Sequence, residues 1–422
     1  MSSSANCVII GASHAGVNCA FSLRQAGWNG PIVLIDAQAQ LPYHRPPLSK
    51  SYLLGNKKTD DKPLKAAESY AETNIDLRLG ECVASIDRAR KHIVLKSKEE
   101  LPYDKLVIAT GAEPILPPIP GLQGNAKVIP LRTAAHAHQI LQELDRSGLP
   151  QVGIIGGGYI GLEVAAAIRQ KEAKVTLFER ENNLLGRVTS PYIADYFLQL
   201  HRSRGVNILL NHTVASITEN GDKQIVECSD GSTYSFDLIV LGVGVYPAVG
   251  LAAQAGLNTS DGLEVNKYCQ TSDPNIYGIG DCALCDHQRY GKKLRIESVQ
   301  NAVDQAKVVA CHLTGRDLAY DSIPWFWSDQ YEVKLQMVGL QYGYNETLVR
   351  HEPQTEGPDK ISVWYFEDEK LLAVDAINDG KAYVVGSRLL QAEHIVDKAL
   401  LADISVPLHP KKLAITPSRT TL

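Results

Sequence analysis

The chain has 422 residues, a formal net charge of −5, 44% hydrophobic residues and 21% charged residues. This length exceeds what one hydrophobic core serves, so two or three domains are expected. The slightly acidic net charge gives no indication of the basic face that is typical of nucleic-acid binding. No apolar run approaches the ~18 residues of a membrane span. The first strand is expected near residue 6, which leaves no room for a signal peptide, so we expect a cytoplasmic protein.

The first 37 residues predict a strand–helix–strand unit. CVIIG (7–11) is a short apolar run that ends in glycine, and residues 15–26 have helical spacing of apolar positions. PIVLIDA (31–37) then indicates a second buried strand that carries an acid near its end. The same order of elements restarts over residues 151–180, so the chain contains two βαβ units.

Later segments indicate how these units end. Residues 103–121 predict a strand that stops at Gly111 and a proline-rich connector, and residues 236–250 form a matching segment. From about residue 322 short alternating strands are expected, followed by one helix over 381–401.

The second glycine loop is complete. Gly156, Gly158 and Gly161 form G-x-G-x-x-G, in which glycines permit the tight turn, the approach of a pyrophosphate and the contact of helix with strand. Glu179 ends the next strand, 179 − 161 = 18 residues after the last glycine. A carboxylate there accepts hydrogen bonds from the adenosine ribose and repels a 2′-phosphate, which predicts NADH rather than NADPH.

The first loop, GASHAG (11–16), departs from the pattern because Ser13 replaces the middle glycine. Taken alone, it is equally typical of a small-residue turn that binds nothing. However, Asp36 follows Gly16 by 36 − 16 = 20 residues, the position of the ribose acid. With a second fingerprint, an ATGA turn (109–112) and a GIGD segment (278–281) in the chain, we interpret this loop as a second cofactor site.

Together these features resemble the flavoproteins with two dinucleotide-binding domains, which bind FAD on the first fingerprint and NAD(P)H on the second. The resemblance implies an α/β fold with two Rossmann-like domains, similar to glutathione reductase, and a C-terminal α+β domain. We predict an FAD-binding domain at 1–113 and 247–322, an NAD-binding domain at 114–246 and a C-terminal domain at 323–422.

Two longer signatures indicate the branch. Residues 41–53 lack the redox cysteine pair of disulfide reductases and contain RPPLSK (45–50), and PWFWSDQY occupies 324–331. Both are similar to signatures of the NADH-dependent ferredoxin reductases that serve oxygenases and cytochromes P450. The resemblance extends over about residues 6–410 and implies hydride transfer from NADH to FAD, followed by single-electron transfer to a [2Fe-2S] ferredoxin.

This resemblance also implies the site residues. Those expected to contact FAD are Gly11, Ser13, His14, Ala15, Gly16, Asp36, Ala37, Arg45, Lys50, Val83, Ala109, Thr110, Gly111, Arg132, Gly280, Asp281, Glu297, Ser298, Val299 and Trp327. Those expected to contact NADH are Gly156, Gly158, Tyr159, Ile160, Gly161, Glu179 and Gly244. Lys50 and Glu163 are predicted to form a catalytic ion pair beside the flavin; the alternative is an exposed pair with no role in the chemistry.

Eight scattered cysteines are expected to be buried thiols rather than disulfides. Cys282 and Cys285 form a C-x-x-C after Asp281, at an expected helix start, but lie on the wrong segment for a flavin relay. Four-ligand zinc spacing is absent, so no metal is expected.

Arg289, Lys292, Lys293 and Arg295 form a basic cluster that is either a solvated loop or a docking patch for an acidic redox partner. Three other functions remain open: a rubredoxin reductase, an NADH oxidase, and an NADH-sensing flavoprotein with slow turnover. The oxidase would need a peroxide-reactive cysteine, for which Cys7, Cys19 and Cys82 are poorly placed.

Overall fold

The computed structural model describes residues 5–55, 63–146, 148–186 and 188–415. These residues divide into two compact units. The first lies within 1–45, 57–115 and 245–322, and the second within 46–56, 116–244 and 323–422.

The first unit is built on a five-stranded parallel sheet with a buried core of aliphatic side chains and cysteines. Its strands, in spatial order, are Ile276–Gly278, Lys105–Ile108, Cys7–Ile10, Ile32–Asp36 and Ile75–Leu79. The helix His14–Ala26 buries Ala15, Cys19 and Leu23, which share one face because of their spacing. It ends at Gly27, whose φ of 97° provides the left-handed C-cap.

Smaller elements complete this unit. Its other helices are Ala67–Glu72, Gly250–Gln254 and Val299–Leu313. Its other strands are Val83–Asp87, His92–Leu95 and Glu100–Pro102 in one sheet, Ala112–Pro114 and Val245–Pro247 in a second, and Leu263–Val265, Ala283–His287 and Lys292–Leu294 in a third.

The second unit repeats the parallel arrangement and adds a further sheet. The parallel strands, in spatial order, are Asn207–Leu209, Lys174–Phe178, Gln151–Ile155, Leu238–Leu241 and Val128–Pro130. Its helices are Ala134–Arg146, Tyr159–Gln170 and Pro191–Ser203, and a small antiparallel sheet comprises Val214–Asn220, Lys223–Cys228 and Thr233–Phe236.

The C-terminal part is a five-stranded antiparallel sheet followed by helices. Its strands, in spatial order, are Trp325–Gln330, Val333–Gly339, Lys370–Ile377, Lys360–Glu367 and Glu346–Glu352. The helices are Gly380–Ala392, Lys398–Ala402 and Pro410–Leu413. The single helix expected over 381–401 is therefore wrong, because Glu393 adopts a left-handed conformation (φ 54°) that ends the first of them.

The predicted fold class is confirmed: two Rossmann-like sheets and a C-terminal α+β region are present. The proposed boundaries of the three domains stay a prediction. Across the described residues, no helix combines the length and apolar character needed to cross a membrane.

Candidate functional site: two dinucleotide loops and a buried ion pair

The first glycine loop tolerates serine at its middle position for a conformational reason. Ser13 is the N-cap of the helix His14–Ala26 and has φ −97° and ψ −159°. Gly158, the matching residue of the second loop, has φ −81° and ψ 179°. Both conformations are extended, so neither requires glycine. The Ser13 hydroxyl is used locally, since its Oγ accepts a hydrogen bond from Arg45 Nε at 2.9 Å.

Asp36 is anchored to the first loop by both carboxylate oxygens. Its Oδ2 accepts a hydrogen bond from the Ala12 N–H at 2.7 Å, and its Oδ1 accepts one from the Gln38 N–H at 2.8 Å. The carboxylate therefore lies at the loop, where a ribose next to a pyrophosphate would bind. A small recess beside it is lined by Ala12, Ser13, Asp36, Gln38, Gln40, Pro42, Tyr43 and Arg45.

The other predicted FAD segments meet this loop at the carboxyl edge of the sheet. The Ala109 N–H donates to Ile10 O at 2.8 Å, and the Ile279 N–H donates to Ile108 O at 3.0 Å. These bonds bring residues 109–111 and 280–281 to the end of the strand that precedes the glycine loop. The crevice at this edge is where open α/β sheets bind ligands.

The remaining predicted FAD residues of the first unit are positioned by strand and helix ends. Val83 begins the strand Val83–Asp87 and is half-buried. Ser298 caps the helix Val299–Leu313, with its Oγ accepting from the Asn301 N–H at 3.1 Å. Glu297, one residue earlier, forms an ion pair with Arg295. Three predicted FAD residues belong instead to the second unit: Lys50, Arg132 and Trp327.

The second loop repeats the geometry of the first. Glu179 Oε2 accepts a hydrogen bond from the Gly157 N–H at 2.7 Å, and Oε1 accepts one from the Glu181 N–H at 2.9 Å. The two acids, Asp36 and Glu179, are thus held by the same two kinds of backbone donor. Arg180 pairs with Glu181 at 3.1 Å.

Close backbone contact explains the third glycine of the second loop. A Cβ on Gly161 would lie 2.0 Å from Gly156 O, so only glycine lets the helix meet the loop at this distance. Tyr159 and Ile160 form the first turn of that helix. Gly244 follows the neighbouring strand Leu238–Leu241, so it also lies at the carboxyl edge of the sheet.

Lys50 and Glu163 lie together within the second unit. Lys50 Nζ is 2.6 Å from Glu163 Oε2, and the side chains are 19% and 1% exposed, respectively. Ser49 Oγ donates to the same oxygen at 2.5 Å. The pair is therefore not the exposed one that the alternative interpretation required. A buried carboxylate with several donors is a rigid anchor for the ammonium.

The cysteines of the C-x-x-C are buried thiols, and the helix expected at Cys282 is wrong. Gly280–Cys282 is a single 3₁₀ turn, and the chain continues as the strand Ala283–His287. Cys282 and Cys285 are both 0% exposed, and burial raises the pKa of the Cys282 thiol. In the described part of the chain no cluster of three histidine, cysteine or carboxylate side chains is suited to hold a metal ion.

The basic cluster lies on and beside a β-hairpin and faces several carboxylates. Lys293 pairs with Glu264 at 2.6 Å, and Arg289 Nη2 lies 3.6 Å from a carboxylate oxygen of Asp321. Arg295 lies 3.4 Å from Asp261 and also pairs with Glu297. These carboxylates offset much of the cluster's charge.

Two glycine loops, each with an anchored carboxylate at the end of the next strand, define a protein with two dinucleotide sites. Residues 5–306 match the pyridine nucleotide-disulphide oxidoreductase family, and residues 325–412 match the reductase C-terminal family.

Curated relatives and a solved structure agree with this family assignment. Putidaredoxin reductase CamA of Pseudomonas putida is 40% identical over 413 residues, 97% of each chain. The 5,5′-dehydrodivanillate O-demethylase ferredoxin reductase subunit of Sphingobium sp. is 37% identical over 407 residues, 96% of this chain and 97% of its own. The covalent putidaredoxin reductase–putidaredoxin complex contains a chain with a TM-score of 0.90 and 38% identity, with coverage of 96% of this chain and 97% of that one.

The chain belongs to the pyridine nucleotide-disulphide oxidoreductase family, in its branch of FAD-dependent ferredoxin reductases similar to putidaredoxin reductase. It is an oxidoreductase that uses FAD and NAD(H), and both predictions are confirmed. The first loop fits FAD by geometry, since Ser13 keeps the backbone of a nucleotide loop and Asp36 is set beside it. The second loop fits NAD(H) because the space beside Gly158 is open. A Cβ added there would have no atom nearer than 3.9 Å, so a pyrophosphate has room to approach the backbone.

Sequence reasoning missed the partners of Glu163 other than Lys50. Ser49 lies in the RPPLSK signature, and Ser328 Oγ donates to Glu163 Oε1 at 2.7 Å from within PWFWSDQY. The available signal was weak: the strand Trp325–Gln330 ends in three polar residues, of which Ser328 and Gln330 share one face.

Proposed function

We propose that this protein takes hydride from NADH and passes single electrons to a [2Fe-2S] ferredoxin that serves a cytochrome P450 or another oxygenase. The observation that carries the proposal is the pair of anchored ribose acids, Asp36 and Glu179, each clamped to its own glycine loop. Two such sites allow one chain to bind both an electron donor and an electron-storing cofactor.

In the proposed FAD site, loop N–H groups at the start of the helix His14–Ala26 would hold the pyrophosphate, and Asp36 would hold the adenosine ribose. Residues 109–111 and 280–281 would line the rest of the cofactor from the same sheet edge. FAD, when bound, would accept two electrons as hydride and release them one at a time. The protein's task is to orient the cofactor.

In the proposed NADH site, Glu179 would accept hydrogen bonds from the adenosine ribose. Its two backbone donors prevent the carboxylate from turning away, so a 2′-phosphate would meet a fixed negative charge. Arg180 is paired with Glu181, so part of its attraction for that phosphate is already offset. We therefore propose NADH as the preferred coenzyme.

Lys50 and Glu163 are proposed as the catalytic pair. The ammonium would stabilise the negative charge that the flavin gains on reduction, and the buried carboxylate would hold the ammonium in place.

The basic hairpin is proposed as the ferredoxin docking surface, with a modest electrostatic effect because its cations are largely paired. It would act by steering a brief encounter with an acidic partner. The absence of a membrane-crossing helix in the described residues is compatible with a cytoplasmic location, which we also propose.

Steady-state reduction of cytochrome c by NADH tests the function. We expect slow reduction by the FAD-loaded protein alone and a large increase when a [2Fe-2S] ferredoxin is added. An increase with rubredoxin but not with ferredoxin would establish a rubredoxin reductase instead. No increase with either would contradict electron transfer to a small iron–sulfur protein and favour a slow NADH-sensing flavoprotein.

A further inference from the structure

A chain of buried hydrogen bonds continues from Glu163 within the second unit. Ser328 Oγ donates to Glu163 Oε1 at 2.7 Å and accepts from Gln330 Nε2 at 3.1 Å. Gln330 Oε1 lies 2.8 Å from His201 Nε2. As whole residues, Glu163 is 2% exposed and Ser328, Gln330 and His201 are each 0% exposed. Solvent therefore cannot replace any link of the chain.

Three elements of the fold supply these side chains. Glu163 lies on the helix Tyr159–Gln170, and His201 lies on the helix Pro191–Ser203. Ser328 and Gln330 are alternate residues of the strand Trp325–Gln330, so both point to the same side of the sheet. The strand thus connects one helix to the other through polar atoms alone.

The chemistry of the groups gives the chain one direction. Gln330 Oε1 can only accept a hydrogen bond, so His201 Nε2 must be protonated and its N–H must donate that hydrogen bond. The Gln330 amide N–H then donates to Ser328, whose single hydroxyl proton goes to Glu163. Every donor points towards the carboxylate.

His201 determines this direction. Burial lowers its pKa to about 4, so the imidazole is neutral near pH 7 and has one N–H. Among the described residues its Nδ1 is buried without a hydrogen-bond partner, which leaves Nε2 as the useful position for the proton. If the Gln330 amide flipped, its N–H groups would face His201, and its oxygen would accept the hydrogen bond that the Ser328 hydroxyl donates to Glu163. Glu163 Oε1 would then lose its donor.

We propose that Ser328, Gln330 and His201 form a positioning relay that orients the Glu163 carboxylate and, through it, the Lys50 ammonium for hydride transfer. This inference rests on the proposed function. None of the three residues needs to touch the flavin or NADH, so they act through Glu163. Without the relay, Glu163 keeps only the two donors on Oε2, Ser49 and Lys50, and its other oxygen is free to move.

Ser328→Ala removes the last link and is compared with Ser362→Ala. Ser362 is also a fully buried serine of the same sheet, but its Oγ accepts from Trp364 Nε1 at 3.0 Å and it is no part of the relay. Each FAD-loaded variant is measured for flavin midpoint potential and for the rate of flavin reduction by NADH in stopped-flow. We expect Ser328→Ala to lower the potential and to slow reduction about threefold to tenfold at an unchanged Kd for NADH. Ser362→Ala should leave the potential and rate at the wild-type values.

A second pair of variants tests the direction of the relay. His201→Gln can place an amide N–H near the position of Nε2, whereas the shorter His201→Asn cannot reach it. The first should retain most of the wild-type rate, and the second should resemble Ser328→Ala. In protein without FAD, ¹⁵N NMR of labelled histidine should show the His201 imidazole neutral, with its proton on Nε2, at pH 7.

The outcomes separate the relay from the proposed function. Equal potentials and rates in Ser328→Ala and Ser362→Ala would overturn the relay, as would a charged or Nδ1-protonated His201. A wild-type flavin that NADH does not reduce would overturn the proposed function, and the relay's role would fail with it, whatever the NMR result.

Discussion

Replacing Gly161 by alanine should remove most NADH binding and leave FAD binding intact. The new Cβ would lie 2.0 Å from Gly156 O, whereas real Cβ atoms essentially never come closer than 3.0 Å to such a neighbour. The helix and the loop must therefore separate by at least 3.0 − 2.0 = 1.0 Å. If the displacement breaks two loop N–H hydrogen bonds to the pyrophosphate, at about 1.5 kcal/mol each, affinity falls on the order of 100-fold.

The matched control is Gly158→Ala. Its φ of −81° suits any residue, and its Cβ would meet nothing nearer than Gly242 O at 3.9 Å. The first loop already carries Ser13 at the matching position. We therefore expect Gly158→Ala to keep the wild-type thermal midpoint and to bind NADH more tightly than Gly161→Ala does.

Calorimetric titration with ADP-ribose measures the adenosine half of the site without reducing the flavin, and flavin absorbance per chain measures FAD content. The expected order of affinity is wild type, then Gly158→Ala, then Gly161→Ala, at equal FAD content. Wild-type affinity and thermal midpoint in Gly161→Ala would refute the reasoning, as would a larger loss in Gly158→Ala.

Four further predictions follow from individual side chains. Glu179→Ala should lower kcat/KM for NADH and raise the NADPH-to-NADH ratio of kcat/KM, and an unchanged ratio would show that its carboxylate does not select the coenzyme. Lys50→Met should lower the flavin midpoint potential and slow reduction by NADH; an unaltered potential and rate would reduce the pair to a structural role. Reversing Lys292 and Lys293 to glutamate should slow ferredoxin reduction modestly and flatten its dependence on ionic strength, with NADH oxidation by a small acceptor unchanged, and equal slopes would exclude this docking surface. Burial lowers the His201 pKa from 6.5 to about 4, so between these pH values the unfolded chain binds a proton that the folded protein does not, and the free energy of unfolding falls by up to about 3 kcal/mol as pH drops from 6.5 to 4. His201→Gln should lessen the accompanying fall in thermal midpoint. Identical pH profiles of the thermal midpoint in wild type and variant would count against the buried neutral imidazole.

Local patterns predicted the parts of the site that short segments build. A strand, a glycine loop and an acid about 20 residues later are one βαβ unit, so the positions of Asp36 and Glu179 follow from spacing. The parallel sheet then brings residues 109–111 and 280–281 to the same edge, because strands of one sheet end together.

The remaining features depend on contacts between distant segments. Ser328 and Gln330 acquire their role only when their strand packs beside the helices of Glu163 and His201, which precede it by more than 100 residues. No local sequence pattern identifies His201 as the end of this chain of hydrogen bonds. The helix break at Glu393 was missed for another reason: a non-glycine residue in the left-handed conformation has no strong sequence signal.

The central claim is that electrons pass from NADH through one chain to an iron–sulfur protein. Anaerobic stopped-flow mixing of the NADH-reduced protein with oxidised [2Fe-2S] ferredoxin tests it most directly. We predict that flavin absorbance returns as the ferredoxin is reduced, with two ferredoxins reduced per NADH and a rate that rises with ferredoxin concentration. Reduced flavin that persists in the presence of excess oxidised ferredoxin would contradict the account.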